Sequence, residues 1–263
     1  MYQRDDLTGG HIIKLGPGNE DAAMSALRAF PGGMQLGGGV TPENAKKYLE
    51  AGASHVIVTS YVFSGGRIDW VRLGDLVEAV GKERLVLDVS CRRRPTRKQR
   101  GSNPEAAGAS EAGAETELVV VTDRWQKWTD EVVDAALLRR LGDHCAELLV
   151  HGVDVEGMQS GVDSGLVRLL GSSCSIPVTY AGGVRSLEDC EVVLREGGGR
   201  VDLTIGSALD VFGGKLPYDE VLVWFKEHGG RGEAGASASA STSASASASG
   251  GGGSHDAADG TKD

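Results

Sequence analysis

At 263 residues and 40% hydrophobic content, the chain is long enough to bury the core of one large α/β domain. Its net charge of −10 excludes a nucleic-acid groove or an anionic membrane surface as the main partner. No apolar run of roughly 20 residues exists to span a bilayer, and no apolar segment near the N-terminus marks secretion. The four cysteines, Cys91, Cys145, Cys174 and Cys190, lack Cys-x-x-Cys spacing, so reduced thiols in a cytoplasmic protein are expected, and no metal site.

In chain order, residues 1 to 10 are polar and contain no strand. A short strand, His11-Ile-Ile-Lys-Leu15, is closed by Gly16-Pro17-Gly18. The spacing of Ala23, Ala26, Leu27 and Phe30 predicts a helix over 20–30. Alternation continues with a strand over 33–36, a helix over 42–51, a strand over 55–60 and an amphipathic helix over 70–80. A strand over 84–89 is interrupted by Asp88. Helices over 131–141, 165–170, 187–196 and 219–227 then alternate with strands over 147–151, 177–180 and 201–205.

Seven strands alternating with helices predict a parallel sheet covered on both faces, and the nearby closed solution is an eight-stranded (β/α)8 TIM barrel. An internal repeat favours that barrel. Gln35-Leu-Gly-Gly-Gly-Val-Thr-Pro and Thr179-Tyr-Ala-Gly-Gly-Val-Arg-Ser each run from an apolar strand through a glycine pair to a helix start. The chain opens in what reads as a loop, so the first βα unit has no counterpart. The barrel is assigned to 1–228, with a disordered insertion at about 93–117 rich in Ala, Gly, Ser and charge, and a flexible Ser/Ala/Gly tail over 229–263. The basic run Arg92 to Arg100 reads as a solvated loop.

In such barrels the reactive groups stand at the C-terminal ends of the strands. The Gly38-Gly39 and Gly182-Gly183 turns, with Thr59, Ser60, Gly206 and Ser207 on the strands that follow them, form two phosphate grips. Ser207 to Phe212 is a candidate for the short extra helix of the second grip. A substrate with a phosphate at each end fits that spacing. Asp88 lies where an apolar strand meets the mouth; burial there would raise its pKa toward proton transfer, whereas a structural reading pairs it with Arg92. Asp154 and Glu156 either bind substrate or pair with nearby charges. His151 at a strand end reads as structural more readily than catalytic. Trp125 and Trp128, in the loop after Asp88, either stack on a heterocycle or anchor the loop.

Leu36-Gly-Gly-Gly-Val40, Val56-Ile-Val-Thr-Ser60, Leu87-Asp-Val-Ser-Cys-Arg92, Asp154-Val-Glu-Gly157, Tyr180-Ala-Gly-Gly-Val184 and Asp202-Leu-Thr-Ile-Gly-Ser207 resemble one family in combination. It is the eukaryotic-type phosphoribosylformimino-5-aminoimidazole carboxamide ribotide isomerase family of histidine biosynthesis, and the resemblance runs from about His11 to Glu227. The resemblance implies a (β/α)8 barrel with half-barrel symmetry and an intramolecular oxidoreductase that converts a bisphosphorylated aminoaldose to the aminoketose. It implies an Amadori rearrangement without cofactor or metal, in a monomer whose partner is the small bisphosphate. Of the family's two acid–base aspartates, Asp88 matches the one on the fifth strand; the first-strand aspartate has no counterpart, which places the activity of this chain in question. The family's bacterial members carry a threonine near His151 or Gly152, an Asp-Gly at Glu156-Gly157 and an acid at Lys14. The alternatives are the sister cyclase of imidazole glycerol phosphate synthase, disfavoured by the loop tryptophans and Asp154-Val-Glu-Gly157, and an inactive phosphate-ligand binder.

Overall fold

The computed structural model describes residues 1–96, 116–158 and 160–228, together with the backbone of 243–244. Its frame is a parallel sheet of seven strands: β1 Gly10–Ile13, β2 Met34–Gly37, β3 Val56–Val58, β6 Leu85–Asp88, β10 Glu147–His151, β11 Val178–Ala181 and β12 Val201–Thr204. Neighbours in this sheet are also neighbours in sequence once the excursions between them are set aside. This is the order of a barrel wall. A two-residue strand, β13 (Ser243–Ala244), pairs in parallel with His11 and Ile12 at the free edge of β1. The segments 97–115, 229–242 and 245–263 lie outside the described residues, and with them most of the expected insertion and tail.

Helices return each strand to the next: α1 Glu20–Ala29, α2 Pro42–Glu50, α3 Trp70–Val80, α4 Ala135–Gly142, α5 Ser164–Ser173, α6 Leu187–Glu196 and α7 Tyr218–His228. Their starts follow local chemistry. Asp69, Asp134 and Asp163 each accept backbone N–H bonds at the N-cap of α3, α4 and α5, and Pro42 fills the first position of α2. The fourth helix begins at Ala135 rather than at 131, because Asp134 caps it and Glu131 belongs to a strand.

Two layers of apolar side chains result. Leu85, Leu87, Leu148 and Val150 face outward into the core shared with the helices. Ile57, Val86, Leu149 and Ala181, joined by Ile13, form a separate cluster inside the wall. Strand residues alternate between faces and paired residues share one. Register therefore decides what else points inward: Ile57 stands opposite Val86, Val86 opposite Glu147, and Asp88 opposite Leu149.

The largest departure from expectation lies between β6 and α4. Cys91–Pro95 (β7), Thr116–Thr122 (β8) and Lys127–Val132 (β9) form a three-stranded antiparallel sheet. The ends of the region assigned to a disordered insertion are thus its strands, with Arg93 paired to Leu118 and Pro95 to Thr116. Val119, Val120 and Val121 are wholly buried, and burying an aliphatic side chain of this kind contributes about 1.5 kcal/mol or more. The sheet is fixed to the barrel rim by Val121 N–H on the Ser90 carbonyl (2.8 Å) and Val153 N–H on the Cys91 carbonyl (3.0 Å). A small hairpin, β4 (Phe63–Ser64) and β5 (Arg67–Ile68), meets its far side through Asp130 N–H on the Gly66 carbonyl.

Candidate active site

Thr59, Asp88 and His151 occupy inward positions two residues beyond Ile57, Val86 and Leu149, on three consecutive strands of the wall. Alternation alone therefore brings them together at the mouth. Asp88 Oδ2 accepts from Thr59 Oγ1 at 3.1 Å, Oδ1 accepts from Ser90 Oγ at 3.0 Å, and His151 Nδ1 lies 3.1 Å from Oδ1. Both side chains are largely buried, at 14% and 19% exposure, yet they keep an opening to the mouth.

Burial penalises a charge on Asp88, but the His151 charge and the hydrogen bonds from His151, Ser90 and Thr59 outweigh it and hold the carboxyl below its ordinary range. The expected upward shift is thus reversed, and the reason is the partner set. His151 moves the opposite way: burial disfavours its cation, and the Asp88 charge with its hydrogen bond raises it above the ordinary histidine value. Both shifts favour a carboxylate facing an imidazolium. Arg92, the alternative partner weighed for Asp88, instead pairs with Asp154.

Trp125 completes the cluster. Its indole N–H donates to Ser90 Oγ at 3.1 Å, and its ring lies tilted over the His151 ring with centroids 6.3 Å apart. The turn carrying it holds Asp123, Arg124 and Trp125 at φ of 52°, 55° and 66°, three successive non-glycine residues in the left-handed region. Such strain persists only where surrounding contacts enforce it, and it clusters at functional sites. Trp128, by contrast, stands in β9 beneath the guanidinium groups of Arg92 and Arg94, at 5.4 Å and 6.0 Å. It anchors the sheet.

The glycine turns lie at the same end of the wall. A pocket is lined by Glu156, Gly157, Gly182, Gly183, Gly206 and Ser207, where two strand ends meet the start of α6. Thr204 also lines it, and its buried hydroxyl has no partner among the described residues, a donor that strand assignment alone did not single out. Gly182 and Gly183 have φ of 127° and 75°, and a side chain on Gly183 would collide with the Gly161 carbonyl. Gly38 and Gly39 have φ of 95° and 71°, and a side chain on Gly38 would strike the Lys14 backbone. Gly183→Ala is expected to destabilise the fold by at least about 1–2 kcal/mol, the cost of the left-handed conformation before the collision is counted. A thermal melt within about 1 °C of the parent protein would contradict that close approach.

Several assigned residues have other occupations. The Thr59 hydroxyl proton is spent on Asp88, and Ser60 Oγ accepts from Asp123 N–H at 3.2 Å, holding the tryptophan turn. Both were expected at a phosphate; cross-strand register turns the first to the carboxylate, and the β8–β9 turn reaches the second. Asp154, read either as a substrate contact or as a partner of nearby charges, accepts from Arg92 Nε at 2.9 Å and Arg93 N at 2.7 Å and ties β7 to the rim. After Ser207 the expected extra helix is only a 3-10 turn over Asp210–Phe212, because Leu209 and Leu216 pair across it. Among the described residues no group of three His, Cys, Asp or Glu side chains could hold a metal ion, and no helix is long and apolar enough to cross a membrane.

Comparison with known proteins identifies the family. The family model described as "Histidine biosynthesis protein" matches residues 6–216. The chain is 48% identical over 229 residues to the Medicago truncatula 1-(5-phosphoribosyl)-5-((5-phosphoribosylamino)methylideneamino)imidazole-4-carboxamide isomerase, whose name carries the word chloroplastic. That alignment covers 86% of this chain and 67% of the relative. Proteins of the same isomerase name from Neurospora crassa and Yarrowia lipolytica are 44% and 42% identical, each across 85% of this chain and 81% of the relative. With a TIM-barrel wall, an ionised Asp88 at its mouth and this similarity along most of its length, the chain belongs to the histidine biosynthesis protein family.

Proposed function

We propose that this chain is the isomerase that converts the bisphosphorylated aminoaldose of histidine biosynthesis to its aminoketose, an Amadori rearrangement. The observation that carries the reading is Asp88, ionised at the mouth by three donors and facing the same opening as the glycine turns. A carboxylate in that state is a base rather than an acid. It suits removal of the proton from the sugar C2 once the ring has opened to a Schiff base. The ring opening needs a separate proton donor.

The two phosphates of the substrate fit the Gly182–Gly183 and Gly38–Gly39 turns, whose backbone N–H groups lie at the starts of α6 and α2. Between them the Trp125 indole offers a face for the substrate heterocycle, and the Glu156 carboxylate offers an acceptor for a sugar hydroxyl. The enzyme acts on its small bisphosphate as a monomer in the cytoplasm under this reading. The plastid word in the Medicago relative's name marks the compartment as a point for cell fractionation.

Expression of the chain in a histidine-requiring strain that lacks this isomerase tests the function. Growth without histidine is the expected result. No growth, with soluble folded protein present in the cells, overturns it.

A further inference from the structure

We propose that Ser90 is a positioning residue that couples the tryptophan turn to the base, linking the Trp125 indole N–H through its hydroxyl to Asp88. The coupling stands on the geometry of the site; its effect on turnover rests on the isomerase reading.

The direction of the chain follows from what each group can do. An indole N–H only donates, and an ionised carboxylate only accepts. Ser90 Oγ lies 3.1 Å from Trp125 Nε1 and 3.0 Å from Asp88 Oδ1, so it accepts from the first and donates to the second. Ser90 is 1% exposed, which shields both bonds from competing water. Its backbone is fixed as well, because Val121 N–H donates to its carbonyl at 2.8 Å. A hydroxyl that accepts a hydrogen bond becomes a stronger donor. Docking of Trp125 therefore strengthens one of the donors that hold Asp88 ionised.

The turn is fastened at two strand ends that also serve Asp88. Ser60 Oγ accepts from Asp123 N–H at 3.2 Å, and the neighbouring Thr59 hydroxyl donates to Asp88 Oδ2 at 3.1 Å. Ser90 holds the other end of the turn through Trp125. Between these points lie the three residues with φ of 52°, 55° and 66°, a conformation that persists only while its fastenings hold. The indole remains 39% exposed. One ring thus carries both the face open to a substrate heterocycle and the N–H that leads to the base. Seating the ring seats the base.

Among the described residues, the other groups facing Asp88 do not make this link. His151 Nδ1 sits on Oδ1 at 3.1 Å and meets Trp125 only ring to ring, with centroids 6.3 Å apart. His11 is held neutral inside the wall, Glu156 acts on His151, and the Cys91 thiol is bonded to the His151 carbonyl.

The test is the proton–nitrogen correlation spectrum of the full chain at neutral pH, with Trp125→Phe identifying the Trp125 indole resonance. Hydrogen-bonded chains polarise along their length, so the charge on Asp88 is felt at that N–H. Asp88→Asn is expected to move the resonance, although the indole bonds to Ser90, and to leave the Trp128 indole on β9 where it is. Ser90→Ala is expected to shift the resonance, and adding Asp88→Asn to Ser90→Ala is expected to move it no further. A resonance that is unmoved in Asp88→Asn, or moved equally with and without Ser90, overturns the coupling. If Ser90→Ala does not fold, Ser90→Cys takes its place, because a thiol is a weak donor and acceptor.

Kinetics with the bisphosphorylated aminoaldose test the consequence. Trp125→Phe keeps a ring for stacking and loses the N–H. Its kcat is expected to fall about 2- to 10-fold, the range set by one hydrogen bond, with KM within about twofold. Turnover of Trp125→Phe at the parent rate would overturn the effect on the base. Absence of turnover in the parent sinks the isomerase reading instead, and the spectrum alone then decides the coupling.

Discussion

Asp88→Asn is expected to lower kcat by about 10²–10⁴-fold, the range lost with a positioned acid–base group, while KM changes by no more than a few-fold. The substitution keeps shape and leaves an oxygen for the Thr59 or Ser90 hydroxyl, so the phosphate turns and the wall should persist. What disappears is the negative charge. The amide cannot accept the C2 proton, and it no longer holds a proton on His151. Steady-state kinetics alongside a thermal melt separate this from unfolding. A variant that melts near the parent and turns over within tenfold of it removes Asp88 from the chemistry.

The second large effect is on stability and arises from His11. Buried on β1 with its Nε2 unpartnered among the described residues, it has a pKa lowered to about 3, against about 6.5 in the unfolded chain. Between those values the unfolded state binds a proton that the native state does not, so stability rises with pH and falls as acid is added. The slope approaches about 1.4 kcal/mol per pH unit, or roughly 2 kcal/mol lost at pH 5. His151 acts in the opposite sense. Its folded pKa is raised, so its contribution is fully present below the unfolded value and is lost as pH rises through the folded one. Asp88, lowered, contributes above the unfolded carboxylate value and loses that as pH falls through its own. Urea unfolding from pH 5 to 8 should show the acid-side fall, and His11→Leu should flatten it. An unchanged slope in His11→Leu would mean that burial does not hold the position-11 imidazole neutral.

How far the site could be read in the sequence differs from residue to residue. The glycine pairs were legible because positive φ and close backbone approach leave few other choices. Asp88 was legible because a carboxylate ending an apolar strand is out of place. Its charge state was not: that depends on His151 and Thr59, which are distant in sequence and meet it only through the register of β3, β6 and β10. The partners of Thr59 and Asp154 are hidden for the same reason, since a cross-strand carboxylate and an arginine on β7 bond to them. The antiparallel sheet was missed because its apolar run, Leu118 to Val121, directly follows a low-complexity stretch whose composition dominates the local pattern. The placement of Trp125, though not its candidacy, depends on the β8–β9 turn of that sheet.

The most direct measurement of the central claim is incubation of the purified full chain with the bisphosphorylated aminoaldose, with the products resolved by chromatography. The aminoketose is expected to form with the parent chain and to form at least about 100-fold more slowly with Asp88→Asn. A folded parent chain that leaves the aldose unchanged would contradict the account.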